Sequence, residues 1–187
     1  MKRNKLVLIG IMLVALIAGT AFAALTAKVV LNIGTTYTGS SGLGTAIETL
    51  NLDYSITLAS GTGDNQADVV YSASRSLADD ANEVLDFYAS GALTDSFGTA
   101  LTMKTVKLLA IYNTSTTASL KIGGGTVAVG IFDDVTDILT LPPGGKFIYS
   151  APDSTGLDIT TNKDLNLLHG GQGTAALTYK IVAIGVD

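Results

Sequence analysis

Leu177–Val186 reads LTYKIVAIGV, a nearly unbroken apolar run with a single charge at Lys180. A run this short and this rich in β-branched residues predicts a strand buried on both faces. Working back along the chain, similar segments recur. Thr102–Tyr112 (TMKTVKLLAIY) predicts a long strand closed by Asn113-Thr114-Ser115. Leu120–Ile122 is short and stops at Gly123-Gly124-Gly125, and Val127, Val129 and Ile131 then alternate like a half-buried strand. Ile138–Leu141 halts at Pro142-Pro143-Gly144-Gly145, the strongest turn signal in the sequence. Lys146–Ser150, Leu157–Ile159 and Asn166–Leu168 read as further short strands.

Towards the N-terminus, Tyr54, Ile56 and Leu58 alternate with Ser55 and Thr57, and a turn cluster at Gly61–Asn65 precedes a strand from Val69. Ser76–Tyr88 admits two readings. Ser76 with Asp79 resembles a capping box, and Leu77, Ala81, Val84, Leu85 and Tyr88 fit a helical stripe. Against this, Asp79-Asp80-Ala81-Asn82 is turn chemistry, and strand, turn, strand is the reading adopted here. About nine or ten strands at roughly 8–12-residue spacing, with no crossover helix, predict one all-β domain. The expected architecture is a jelly-roll-like antiparallel β-sandwich over residues 50–187, with an N-terminal arm.

Residues 1–23 carry a different signal. Lys2, Arg3 and Lys5 precede an apolar run, Leu6–Ala18, and Ala21-Phe22-Ala23 supplies small residues for cleavage, the layout of a secretory signal peptide. No charge appears between Lys5 and Lys28, so residues 6–27 also fit a membrane anchor. The expected location is outside the cell or on a virion surface, with membrane contact only through this segment if it is retained.

Residues 24–49 are expected to hold an N-terminal strand and a flexible linker. Lys28, Val29, Val30, Leu31, Asn32 and Ile33 form the expected assembly strand, which would complete the sheet edge of a neighbouring copy. Folding back onto its own sheet is the alternative. Gly34–Thr45 is rich in Gly, Ser and Thr, offers nothing for a core, and reads as the linker.

Composition narrows the function classes. Past residue 23 the chain carries eight cations against 16 acids, a net charge of −8, and its cations are scattered. That argues against nucleic acid as a partner. With no cysteine, disulfides, thiolate zinc sites and a cysteine nucleophile are excluded. Charged residues make up 14% of the chain against about 25% in typical soluble domains, which suits a surface covered by other subunits.

No cluster announces a reaction. His169 is the single histidine and reads as a surface or turn residue. Asp133, Asp134 and Asp137 form the one candidate metal site, for calcium, and otherwise no cofactor is expected. Asn113-Thr114-Ser115 fits the N-glycosylation pattern. The glycine runs lack the Lys-Ser/Thr of a phosphate loop and read as turns.

One further pattern is carried by Leu58–Asp68 (LASGTGDNQAD), Arg75–Ala78 (RSLA), Leu85–Phe87 (LDF) and Gly91–Gly98 (GALTDSFG). Lys104–Lys107 (KTVK), Leu141–Gly145 (LPPGG) and Thr178–Gly185 (TYKIVAIG) continue it. In this order of segments, residues 52–187 resemble a group of small tailed-phage virion proteins. The resemblance implies a non-enzymatic β-sandwich subunit on the outside of a capsid or tail, partnered by copies of itself and other structural subunits. It carries no active-site residues. The signal segment departs from that group, and it keeps two alternatives open: an extracellular filament subunit joined by N-terminal strand exchange, and a secreted glycan- or receptor-binding module.

Overall fold

The computed structural model describes residues 24–187 apart from 42, 43, 90, 96, 126, 133, 135 and 172–174. The signal or anchor segment at 1–23 lies outside the described residues. Fourteen strands are present and no helix, among the described residues. They are β1 (Thr26–Ser41), β2 (Gly44–Ser60), β3 (Gln66–Ala67), β4 (Val69–Leu77) and β5 (Asn82–Asp86). Next come β6 (Leu93–Thr94), β7 (Ala100–Leu101), β8 (Thr105–Asn113), β9 (Leu120–Gly123) and β10 (Ile138–Leu141). The last four are β11 (Lys146–Ser150), β12 (Leu157–Asp158), β13 (Asp164–His169) and β14 (Leu177–Val186).

Eight strands pair in a nested way: β4 with β14, β5 with β13, β8 with β11, and β9 with β10. This is one long antiparallel ribbon rolled on itself, and two cross-pairings, β8–β14 and β9–β13, close the roll. Two sheets result, one of five strands, β11-β8-β14-β4 with β12 also paired to β8, and one of four, β10-β9-β13-β5. That is a jelly roll. The fold expected from strand spacing is the fold observed.

Between the sheets lies a continuous apolar core. Leu109, Ile111, Tyr179, Ile181 and Ala183 face Leu120, Ile122, Leu165 and Leu167, all at 2% exposure or less. Tyr71 meets Phe87 edge to face, ring centres 5.6 Å apart, a geometry that aromatic quadrupoles favour. The double burial read from LTYKIVAIGV is present. Ile181 and Ala183 point into this core, while Val182 and Ile184 point out of the sandwich into a second cluster.

The turn over Asp79–Ala81 separates β4 from β5, with Asp80 in the left-handed region at φ 56°, which Asp tolerates. The helical alternative for Ser76–Tyr88 is therefore set aside. Val127–Ile131 forms no strand. Ala128 makes a lone bridge to Asp164, and the segment is a loop whose apolar side chains plug the sandwich, Val129 being 6% exposed. Its alternation reflects burial, and its pairing with β13 stops at that one bridge.

The linker expected at Gly34–Thr45 is a correction. Apart from residues 42 and 43 it is strand, and β2 runs unbroken across the boundary expected near residue 50. β1 and β2 form a hairpin whose register runs from Thr26↔Ala59 to Ser41↔Gly44. Small polar residues build no core, but a ladder is held by backbone hydrogen bonds and does not need one.

Candidate assembly surface

The β1–β2 ribbon has two unlike faces. Residues directly opposite share a face, and faces alternate along each strand. One face carries the pairs Ala27/Leu58, Val29/Ile56, Leu31/Tyr54, Ile33/Leu52, Thr35/Leu50 and Tyr37/Glu48. The other carries Lys28/Thr57, Val30/Ser55, Asn32/Asp53, Thr36/Thr49 and Thr38/Ile47. The first is apolar over almost its whole length. The second is largely polar, and there the Asn32 amide donates to the Asp53 carboxylate.

The apolar face meets two environments. At its base, Ile56 and Leu58 are buried with Ala67 against Leu108 and Ile184 on the outer face of the first sheet, with Ala27 and Val29 packed around them. Beyond the base it overhangs. Leu31, Ile33, Leu50, Leu52 and Tyr54 are 39–66% exposed, and Tyr37 is 73% exposed. From Val30↔Ser55 outward the ribbon continues for twelve pairs, about 40 Å at ~3.4 Å per residue. Exposing this much contiguous apolar surface is unfavourable in water, by ~25 cal/mol per Å², and marks an interaction site.

The ribbon's edges are open as well. β1 is the outer strand of its sheet, and β2 pairs on its other side only where β3 meets Ala59 and Ser60. The expected assembly strand, Lys28–Ile33, is thus paired, with Thr57–Leu52 of its own chain. It does not stand free as a donor. Its outer edge, like that of β2 before Ala59, has no partner strand among the described residues.

A second uncovered surface adjoins the ribbon's seat. Continuing along the outer face of the first sheet from Leu108 and Ile184, β8 presents Ala110 and Tyr112, β14 presents Val182 and Lys180, and β11 presents Ile148 and Lys146. These residues line a shallow groove of about 200 Å³. Ile148 is 49% exposed, and the Lys146 ammonium lies 4.4 Å from the centre of the Tyr112 ring.

The remaining candidates from the sequence fall elsewhere. Asp133 lies outside the described residues. Asp134 Oδ1 accepts from the Thr136 amide at 2.8 Å and hydroxyl at 2.9 Å, and Asp137 Oδ2 accepts from the Asp134 amide at 3.1 Å. Asp153 with Thr155 and Asp158 with Thr160 repeat the same Asp-x-Thr turn. In all three, hydrogen bonds from the threonine hold the carboxyl below its usual range, with the Gly156 amide adding to the hold on Asp153. Asp134 is thereby engaged in its own turn. Among the described residues no group of three His, Asp or Glu is arranged to hold a metal.

His169 is a correction: it is buried, at 4% exposure, not on the surface. Its Nδ1 accepts from the Gly171 amide at 3.0 Å, and Nε2 lies 3.1 Å from the Ala175 carbonyl. With Asp79 Oδ1 also 3.3 Å from Nδ1, these contacts give the ring a role in anchoring the turns around it. Lys104 and Lys107, three residues apart, lie on either side of a register shift of β8 against β14. Lys104 is exposed near Asp187, while Lys107 is buried and donates to the Asp153 carbonyl.

Asn113 is fully buried, and its amide donates to the carbonyls of Ala118 (2.9 Å), Leu141 (3.2 Å) and Pro142 (3.0 Å). Its nitrogen is therefore not open to glycosylation in the folded protein. No single-residue signal in the sequence distinguishes this asparagine from an exposed one.

The overhanging ribbon face is what strand reading missed, because its two halves are far apart in composition. Tyr54 and Leu52 pair with Leu31 and Ile33 of the expected assembly strand, whereas Leu50 and Glu48 pair with Thr35 and Tyr37 in the Gly/Ser/Thr-rich stretch read as a linker. No family model matches the chain, and neither characterised proteins nor solved structures provide a match.

Proposed function

We propose that this protein is a non-enzymatic structural subunit that assembles with copies of itself, in the first place as a virion surface component of capsid or tail. The observation that carries this reading is the exposed apolar face at Leu31, Ile33, Leu50, Leu52 and Tyr54 on a β1–β2 ribbon that continues about 40 Å past its seat. A surface of that kind is stable when a neighbour covers it. The jelly roll is compatible with this use, being common to capsid and lectin domains, although a fold alone does not assign function. The likeness of residues 52–187 to small phage virion proteins agrees with it.

An exported filament subunit is the second reading, favoured by the ribbon beginning directly after the signal-like segment. Sedimentation of the purified full chain tests the common core of both. Assemblies much larger than a monomer are expected, and the double variant Leu31→Lys/Leu52→Lys should remain monomeric while keeping its fold. Electron microscopy then separates closed particles or tails from continuous filaments. A wild-type chain that stays monomeric at high concentration would overturn the proposal.

A further inference from the structure

We infer that the overhanging ribbon of one copy seats on the uncovered outer face of the jelly roll of a second copy, in the groove formed by Ala110, Tyr112 and Ile148. This deepens the assembly reading above and rests on it. Three observations point the same way.

The first is continuity. The base of the ribbon already packs its apolar face on Leu108 and Ile184 of this same sheet face, and Ala110 and Val182 are the next outward residues along those strands. The groove is an extension of a surface the ribbon is built to cover. Within one chain both halves stay open, with Leu52 54% and Ile148 49% exposed. The second is charge. Glu48 is the one acid placed on the ribbon's apolar face, opposite Tyr37, and the groove is rimmed by Lys146 and Lys180. A chain with net charge −8 past residue 23 otherwise repels its copies, so a paired acid and cation fix where contact is allowed. The third is reach. A ribbon extending about 40 Å past its seat crosses to a neighbouring domain without rearrangement.

Such a contact is heterologous, because the ribbon of each copy engages a different surface on the next. Repeated, it closes into a ring or propagates as an open filament.

Because the chain contains no cysteine, pairwise crosslinking gives a clean test. Leu52→Cys and Ile148→Cys variants of the full chain, both at exposed positions, would be mixed under mild copper-catalysed oxidation. A disulfide-linked dimer that requires both variants is expected. In parallel, Glu48→Lys should weaken assembly about tenfold, and the double substitution Lys146→Glu/Lys180→Glu in the partner should restore it.

A dimer formed by Leu52→Cys alone would show that ribbons pair face to face and would overturn the inference. Co-flotation of the ribbon with phosphatidylcholine vesicles, lost in Leu52→Lys, would also overturn it, by making lipid the occupant. If ribbon substitutions abolish assembly while Ile148→Glu leaves it intact, this inference fails and the assembly function stands. If the wild-type chain does not assemble at all, both fall.

Discussion

Arg75 Nη1 lies 2.8 Å from Glu83 Oε1 and so joins β4 of one sheet to β5 of the other at the edge of the sandwich. The pair does not act alone. Tyr179 donates its hydroxyl to Glu83 Oε2 at 2.7 Å, and Arg75 Nη2 donates to the Tyr71 hydroxyl at 2.6 Å. Burial and the bond to Glu83 push the Tyr179 phenol well above its ordinary pKa, so it remains a donor across the whole working range of pH. Glu83→Ala removes the shared acceptor and should destabilise the fold by about 1–3 kcal/mol. Glu83→Gln keeps an acceptor for Tyr179 and should lose less. Urea melts of the two variants make the comparison.

A second tie between the sheets is Asn113. Replacing it with Ala takes a donor from the carbonyls of Ala118, Leu141 and Pro142, although Pro142 keeps the Gly145 amide and the Ser115 amide keeps the Thr178 carbonyl. The expected loss is about 1–3 kcal/mol, the cost of taking a donor from buried carbonyls. Expression in a host with N-glycosylation should give a chain of unmodified mass. Full occupancy at Asn113 in a folded, soluble product would contradict its buried position.

These two residues also mark where sequence reading stops. The strand pattern, the Pro142–Gly145 stop and the double burial of LTYKIVAIGV were legible because each is written in local alternation or turn chemistry. Asn113 and His169 acquire their roles from partners far away in sequence or from burial, neither of which leaves a local trace, and Arg75 meets Glu83 only once the chain has turned between the two sheets. The ribbon is a mixed case. Tyr54, Ile56 and Leu58 announced the base of β2, but Gly34–Thr45 read as a linker, because composition reports what can fill a core and not what can join a ladder. Val127–Ile131 erred the other way, with a period of two but a single bridge to Asp164 in place of a ladder.

Gly185 sits where β14 shifts register against β8. A Cβ there would lie 2.0 Å from the Thr105 carbonyl and 2.7 Å from the Met103 sulfur. Backbone cannot yield as a side-chain tip can, so Gly185→Ala should cost at least ~3 kcal/mol or prevent folding. Gly91→Ala provides the contrast. Its φ of 81° is strained for Ala, but no atom lies within 4 Å of the added Cβ, and a loss of about 1 kcal/mol is expected. Thermal denaturation of both variants would rank them.

Acid should weaken the fold through Asp86. Burial pushes its carboxyl up, but hydrogen bonds from Lys163 and the Ala89 and Tyr88 amides prevail and leave it below its ordinary value of 3.8. A group lowered on folding stabilises fully above its unfolded pKa, and that contribution is lost as pH falls through the folded value. Neighbouring Asp164 is raised, chiefly by burial, and works in the opposite direction. Asp86→Asn should therefore be less stable by about 0.5–1 kcal/mol near pH 7 and lose less on acidification. Urea midpoints between about pH 2 and pH 7 would test the slope, and an unchanged acid limb would remove Asp86 from its cause.

The ribbon separates stability from assembly along a single strand. Ile56 and Leu58 are 8% and 1% exposed and rest on Leu108 and Ile184, so truncating either opens a cavity within one chain. Leu58→Ala should lower stability by about 2–4 kcal/mol. Leu50 and Leu52, on the same face six to eight residues earlier, are 66% and 54% exposed and touch no core. Leu50→Ser/Leu52→Ser should leave the denaturation midpoint within about 0.5 kcal/mol of wild type, as for surface substitutions generally. Its effect should instead appear in sedimentation, as loss of the large species. The two halves share one strand and one face, so composition and propensity cannot account for a difference between them. What separates them is whether the covering surface belongs to the same copy. If both substitutions lower monomer stability alike, the overhang packs on its own chain in solution and the ribbon is not an assembly arm.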